Sequence, residues 1–416
     1  MAKKEIEQTE IEAPYELPEG WKWCRLGEVA DWGSGGTPSR KNPEYYQGSI
    51  PWIKTGELNE TYIFDSEEKV SEDAIKHSSA KIFPKETVVM AMYGATIGKT
   101  AIFGIDASTN QACACAICHK ELDNHFLFNF LKSKKDYFLY NAKGGAQPNI
   151  SQEIIKNTLI PLPPTLAEQQ RIVNRIESMF AKLDEAKEKA QNVVDGFEIR
   201  KAAILHKAFT GELTAKWRRE NDVGDDSWVE KTIGEICKFI GGGTPDKTNQ
   251  NYWNGNVHWA SVKDIKGDKL FSTEDKITEL GLKESSAKLA KIDDIILITR
   301  ISPGKAIITK IETAVNQDLK IVETKEYKPF LKFFFDFSEN EIKLLSSGTT
   351  VKGIKLEILN KLSILVPTLP EQQEIVRILD IIIEKENKAK QAAEAVLEQI
   401  DLLKKSILAR AFRGEL

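Results

Sequence analysis

Between Ile172 and Phe197 the apolar positions fall at Ile172, Ile176, Met179, Leu183, Ala186, Ala190, Val193 and Phe197, in steps of four and three with charged residues between. That spacing is a heptad seam and predicts one long helix. The chain writes the seam again as Ile375, Leu379, Ile382, Glu386, Ala389, Ala393, Val396 and Ile400, in the same phase apart from the polar Glu386. Each stripe needs a partner, and pairing the two antiparallel within one molecule buries both.

The ends of these helices are also marked. Pro161, Pro163 and Pro164 bar an earlier start to the first, while Thr165 supplies a cap with Glu168 three residues on. Pro367, Thr368, Leu369 and Pro370 lead into Glu371-Gln372-Gln373, matching Glu168-Gln169-Gln170. At the far ends Ala208-Phe209-Thr210-Gly211-Glu212-Leu213 answers Ala411-Phe412-Arg413-Gly414-Glu415-Leu416, with a glycine where a helix stops. A rod of about 45 residues at 1.5 Å each spans about 65 Å.

The segments preceding the helices are a repeat as well. Trp21 with Leu26-Gly27-Glu28-Val29 reappears as Trp228 with Ile233-Gly234-Glu235-Ile236, and Gly35-Gly36-Thr37-Pro38 as Gly242-Gly243-Thr244-Pro245. Trp52 matches Trp259, Gly98-Lys99 matches Gly304-Lys305, and Asn110-Gln111 matches Asn316-Gln317. Short β-rich runs such as Glu86 to Met92, punctuated by Gly and Pro, alternate with helical patterns such as Phe126 to Tyr140. The expected layout is a polar tail over 1–16, a first globular domain over 17–163, a long helix over 164–213, a polar linker over 214–227, a second domain over 228–366 and a second long helix over 367–416. The fold class is therefore α/β (α+β), two tandem copies separated by two long antiparallel coiled-coil helices with a pseudo-twofold internal repeat. The loops diverge most: Arg40 to Tyr46 faces Lys247 to Trp253, and Tyr93 to Ile97 faces Arg300 to Pro303. A shared scaffold with individual loops suggests one kind of task performed on two targets.

Composition narrows this only slightly. A net charge of −4 removes any argument from bulk basicity, so a nucleic-acid surface must be a local gathering of Lys and Arg. Five cysteines and a polar start without an apolar signal core point to a reducing cytoplasm, and no apolar run approaches a membrane span.

Candidate chemistry fails where it is sought. Gly94 to Thr100 and Gly241 to Thr248 come near a phosphate-binding loop and miss its spacing, which leaves ordinary glycine turns. Cys113, Cys115, Cys118 and His119 lack the paired spacing of a structural zinc site; Cys113 and Cys115 are expected to share one face of a buried strand. Asp318 with Glu323 and Lys325 has too little in common with the first copy to make a nuclease centre. Leu162-Pro163-Pro164-Thr165 is a helix start and not a pocket for a flipped base.

Two divergent modules, each followed by a proline-led Glu-Gln-Gln helix and closed by Ala-Phe-x-Gly-Glu-Leu, with an entry Leu17-Pro18-x-Gly20-Trp21, resemble the specificity subunit of a type I restriction-modification enzyme. The resemblance covers roughly Leu17 to Leu416. It implies two target-recognition domains, each reading half of a bipartite site in double-stranded DNA. It further implies docking of two modification (methyltransferase) subunits on the helices and restriction subunits joining that core; the failed motifs leave no cofactor or metal expected in this chain, and no membrane span is expected. Base readout needs side chains at base edges plus cations on phosphates. The candidates are Arg40, Lys41, Lys54 and Lys99 in one copy and Lys247, Lys263, Arg300, Lys305 and Lys352 in the other. Trp52 and Trp259 are expected in the core. The rival reading is a scaffold that spaces two protein partners without touching DNA.

Overall fold

In the computed structural model, which describes residues 13–59, 62–145, 148–348 and 352–416, the strand Val88–Ala91 is buried at every position. Both of its faces are covered. Val88 and Met90 pack with Ala114, Ala116 and the Phe126, Leu127, Phe130 and Leu131 face of the helix Asn124–Ser133. Val89 and Ala91 turn the other way, onto Ile53, Phe83, Phe103, Cys113 and Cys115. Alternation with period two thus serves two cores at once, and the strand reads as continuously apolar. Cys113 and Cys115 share one face, as expected, and burial pushes the Cys115 thiol up to about 12.

This strand lies in the unit formed by Met1–Gln191 with Ala395–Leu416. Its five-stranded sheet runs in the spatial order Ala30–Ser34, Cys113–Cys118, Val88–Ala91, Thr100–Phe103, Tyr62–Ile63. A four-stranded sheet follows the order Glu68–Val70, Ile50–Ile53, Ala107–Thr109, Ile82–Phe83, and Lys22–Arg25 pairs antiparallel with Leu159–Leu162. The other unit, Asn192–Glu394, repeats every one of these pairings. There the sheets run Cys237–Gly241, Leu319–Thr324, Ile295–Ile298, Ala306–Thr309, Lys269–Leu270 and Asp275–Ile277, Trp253–Ala260, Thr313–Val315, Lys288–Ala290, with Val229–Thr232 against Ser363–Val366.

The recurring motifs are knots in this scaffold. A Cβ on Gly35 would collide with the Thr109 carbonyl, and one on Gly242 with the Val315 carbonyl, so only glycine admits that approach. Thr37 reaches Gln111 as Thr244 reaches Gln317, both at 2.5 Å. The indoles of Trp52 and Trp259, both buried, donate to the carbonyls of Gly36 and Gly243 at 3.0 Å.

The Glu-Gln-Gln signature fastens helix to module. Gln169 is fully buried; its Oε1 accepts from the Asp123 amide at 2.8 Å and its Nε2 donates to the Glu121 carbonyl at 2.9 Å. Gln372 takes the Tyr327 amide at 3.0 Å and gives to Glu326 and the Pro367 carbonyl. The expected Thr165 cap is present, accepting from the Glu168 amide at 3.2 Å.

Helix ends are fastened by phenylalanine. In the first unit Phe412 sets its ring edge-on to Phe126 and Phe130; in the second Phe209 packs on Phe330 and Phe334. Antiparallel pairing follows within each unit. Arg171 meets the Leu416 carbonyl and Asp184 meets Lys404 in the first, while Phe197 lies under Lys390 and Arg200 pairs with Glu386 in the second. Glu386, the polar break in the seam, thereby has its cation at 2.7 Å.

Several expectations need correction. The last helix is continuous over Leu369–Ala411, but the first is interrupted at Gly196 into Leu166–Asp195 and Phe197–Phe209. Glycine is the weakest helix former short of proline, and the second copy has Gln399 there. The Val193 carbonyl accepts instead from Arg200 Nη2 at 2.9 Å. Of the seam, Ile172, Ile176, Ala190, Phe197, Ile375, Leu379, Ala393 and Ile400 are buried, and Met179, Leu183, Val193 and Ile382 are half-buried. Val396 is 39% exposed, because a straight helix drifts against a strict heptad and turns that position outward. Near the second module the buried stripe shifts to Ile383, which packs in the core with Phe333. The linker contains a short helix, Ala215–Glu220. Of the expected polar tail, 1–12 lie outside the described residues, and Tyr15 donates its hydroxyl to the Phe412 carbonyl at 2.7 Å.

The linker also closes over a charge. Glu371, fully buried, accepts through Oε1 from Thr214 at 2.7 Å, Arg218 at 2.7 Å and the Trp228 indole at 3.1 Å. Its counterpart Glu168 is only half-buried and pairs with the exposed Arg171.

Two consequences are measurable by thermal or denaturant unfolding. Gln169→Ala strands a buried amide and a carbonyl and should destabilise its unit by about 1–3 kcal/mol. Arg218→Ala, which leaves Glu371 charged and buried, should cost about 3–5 kcal/mol, and Arg171→Ala on the equivalent surface pair under about 1 kcal/mol. Equal effects at the two arginines would refute this reading of Glu371.

Candidate nucleic-acid interface

In each module the strand that runs through both cores ends in a turn, and the turn is stitched to a second loop by main-chain bonds. In the first, the Gly94 amide donates to the Pro148 carbonyl at 2.8 Å and Ile150 donates to Met92 at 2.9 Å. In the second, Ile301 donates to Lys352 at 2.8 Å and Ile354 to Thr299 at 2.9 Å. Isolated bridges Tyr93 to Asn149 and Arg300 to Gly353 complete the match. The frame is the same and the side chains differ.

At this frame Arg300 places Nη1 at 3.2 Å from Asp318 Oδ1; Asp318 is buried and takes a further bond from Asn316 Nδ2 at 3.1 Å. The first module has Tyr93 and Ala112 at these places, an exposed aromatic residue and a small buried one. Lys320 stands close enough to feel both Arg300 and Asp318, and desolvation holds its ammonium below the usual lysine range.

Lys352 shares this frame, its carbonyl taking the Ile301 amide, but the other candidate cations do not gather here. Arg40 grips Glu68 with both guanidinium nitrogens, at 2.6 and 3.1 Å, and lies 4.0 Å over the Tyr46 ring. Lys54 bonds Glu67 and Glu68 at 3.0 and 3.1 Å. Held chiefly by Arg40, the Glu68 carboxyl is lowered to about 2. Lys263 repeats the theme with Asp275 and Glu274 at 2.9 and 3.2 Å. Lys305 is spent on the scaffold, donating to the Ile265 carbonyl at 3.1 Å, and Lys99 is half-buried. Lys41, Lys247 and Lys352 are exposed.

Sequence reasoning missed Ile301 and Asp318 as part of the frame. Ile301 has φ of 75° and Gly94 has 63° at the equivalent place. The isoleucine is legible as unusual only once the backbone is known. Asp318 and Glu323 make no nuclease pair: Glu323 turns to Lys238 at 3.7 Å while Asp318 meets Arg300. Among the described residues no group of three or more His, Cys, Asp and Glu is placed to hold a metal ion. No helix among them is long and apolar enough to cross a membrane.

Comparison with known proteins agrees with the geometry. The family described as type I restriction modification DNA specificity domain matches residues 18–194 and again 225–399. The chain is 27% identical over 409 residues to the type I restriction enzyme MjaIX specificity subunit of Methanocaldococcus jannaschii, covering 92% of this chain and 90% of that one. It is 26% identical over 428 residues to the StySPI specificity subunit of Salmonella potsdam, covering 96% and 90%. In fold it is similar to the HsdS subunit from Thermoanaerobacter tengcongensis, with a TM-score of 0.67 at 22% identity over 97% of this chain and 100% of that one. A duplicated scaffold, tips that differ on a common frame, and two matched stretches spanning most of its length lead to one conclusion: the chain belongs to the type I restriction modification DNA specificity family, and is a recognition subunit and not a catalytic one.

Proposed function

We propose that each unit reads one half of a bipartite site in double-stranded DNA. On this reading the helices carry two modification (methyltransferase) subunits, restriction subunits add to that core, and the assembly works in the cytoplasm. The observation that carries the proposal is the frame shared by Gly94 and Ile301, which keeps its hydrogen bonds while presenting Tyr93 in one copy and Arg300 in the other. Direct readout asks for this: a rigid support and a variable donor, acceptor or apolar group at base edges. Arg300, braced by Asp318, suits the paired acceptors of guanine, and a guanidinium held in place loses less freedom on binding.

The charges support a division of labour. Lys41, Lys247 and Lys352 face solvent and suit phosphate oxygens. Arg40, Lys54 and Lys263 must exchange a carboxylate for a phosphate, so their net contribution is smaller.

Three experiments test this, each with the chain assembled with its methyltransferase partner. Replacing residues 228–366 by the matching unit of a relative should change one half of the methylated motif; a change in both halves refutes independent reading. Lys41→Ala and Lys247→Ala should each weaken binding alike on every sequence and lower the log–log salt slope by about 1. An unchanged slope excludes them as phosphate contacts, and a flat salt response of the unaltered complex favours a scaffold that does not bind DNA. Finally, seven residues inserted into both long helices keep the heptad phase and add about 10 Å. We infer that the spacer between half-sites grows by about three base pairs; an active complex with an unchanged spacer would separate helix length from spacing.

A further inference from the structure

We propose that Ile301 is a specificity-determining residue, held in a left-handed backbone conformation so that its side chain meets the C5-methyl group of a thymine in the half-site of the second unit. The inference rests on the reading of each unit as a DNA reader and adds a residue and a chemical group to it.

Five non-glycine residues among those described have positive φ, namely Glu86, Asp222, Asn254, Asp293 and Ile301. Only Ile301 is β-branched, the class for which this region is a genuine outlier. The frame explains why the conformation persists. The Ile301 amide is tied to the Lys352 carbonyl just as the Gly94 amide is tied to Pro148, and the flanking bonds at Thr299 and Ile354 hold the turn from the other side. The scaffold therefore imposes positive φ at this position in both copies, and glycine is the residue that fits it without strain.

Packing does not repay the isoleucine. Its side chain is 55% exposed, and a Cβ at the equivalent Gly94 has nothing within 4 Å, so in the first module this direction leads into open space. A branched apolar group is thus aimed outward from a braced turn at a conformational cost, the signature of strain kept for use. Its neighbours identify what it meets. Arg300 precedes it, Lys352 lies across the bond to its amide and Lys320 stands beside Arg300, so the surroundings are cationic. An apolar protein surface would find these charges costly to desolvate, whereas duplex DNA supplies phosphates for the cations and, on a major-groove edge, one apolar group, the thymine methyl.

The test uses the chain assembled with its methyltransferase partner, after its methylated motif has been mapped. Each thymine of the second half-site is replaced in turn by deoxyuridine, which removes only the methyl group. Binding by the unaltered complex should weaken about four-fold at one position, the factor corresponding to burial of a single methyl of ~0.8 kcal/mol. Ile301→Gly should bind the thymine and uracil duplexes equally, leave the first half-site unchanged and melt at no lower temperature than the parent. Ile301→Asn, which tolerates the same φ, should behave alike and keeps the test open if the glycine variant folds poorly. A complex that methylates a bipartite motif yet shows no thymine preference in its second half, or whose preference survives Ile301→Gly, overturns the role of Ile301 alone. Absence of any bipartite motif in the unaltered complex overturns the reading on which it rests.

Discussion

A single buried amide determines how each long helix leaves its module. Gln169 and Gln372 each use both ends of the side chain against groups just before the module's own helix, Glu121 and Asp123 in one copy and Glu326 and Tyr327 in the other, and each does so in a fully buried setting. Apolar burial supplies most of the stabilisation here, but it is non-directional and would tolerate a range of helix orientations. A donor and an acceptor that must both be satisfied out of water do not tolerate one. With the start so held and Phe412 or Phe209 inserted beside the module's own phenylalanines, the antiparallel arrangement within each unit follows from chain direction.

Duplication has left two kinds of position. Where backbone meets backbone, as at Gly35 and Gly242, or where a side chain closes a main-chain contact, as at Trp52 and Trp259, both copies keep the residue. Where the side chain points away from the scaffold, as at Tyr93 and Arg300, they differ without disturbing a hydrogen bond of the frame. Specificity can therefore change independently of folding, which is the physical content of a modular recognition subunit. Ile301 marks the limit of that independence, since there a side chain is presented against the preference of its own backbone.

Charge is deployed locally, in keeping with a net of −4. Carboxylates neutralise Arg40, Lys54 and Lys263 inside their own modules and brace Arg300 from behind, while Lys41, Lys247 and Lys352 stand exposed. Glu371 shows the other use of charge: in the second copy the linker folds over it with Arg218 and Trp228, so that an acid only half-buried in the first copy becomes a fully buried anchor.

Much of this architecture was readable from the residues because repetition and periodicity are properties of sequence. The heptad steps from Ile172 and Ile375, the proline-led starts and the glycine stops identify the long helices, and the recurring Gly-Gly-Thr-Pro and Asn-Gln pairs identify two copies of one fold. Buried Trp52 and Trp259 and the shared face of Cys113 and Cys115 were also foreseen, since alternation along a strand assigns faces. What the chain could not reveal depends on atoms distant in sequence. That Lys305 caps the Ile265 carbonyl instead of facing solvent is an outcome of packing. The positive φ of Ile301 is the clearest case. Isoleucine by itself predicts an extended backbone, and only the bonds that Lys352 and Thr299 make around it force the conformation that its side chain disfavours.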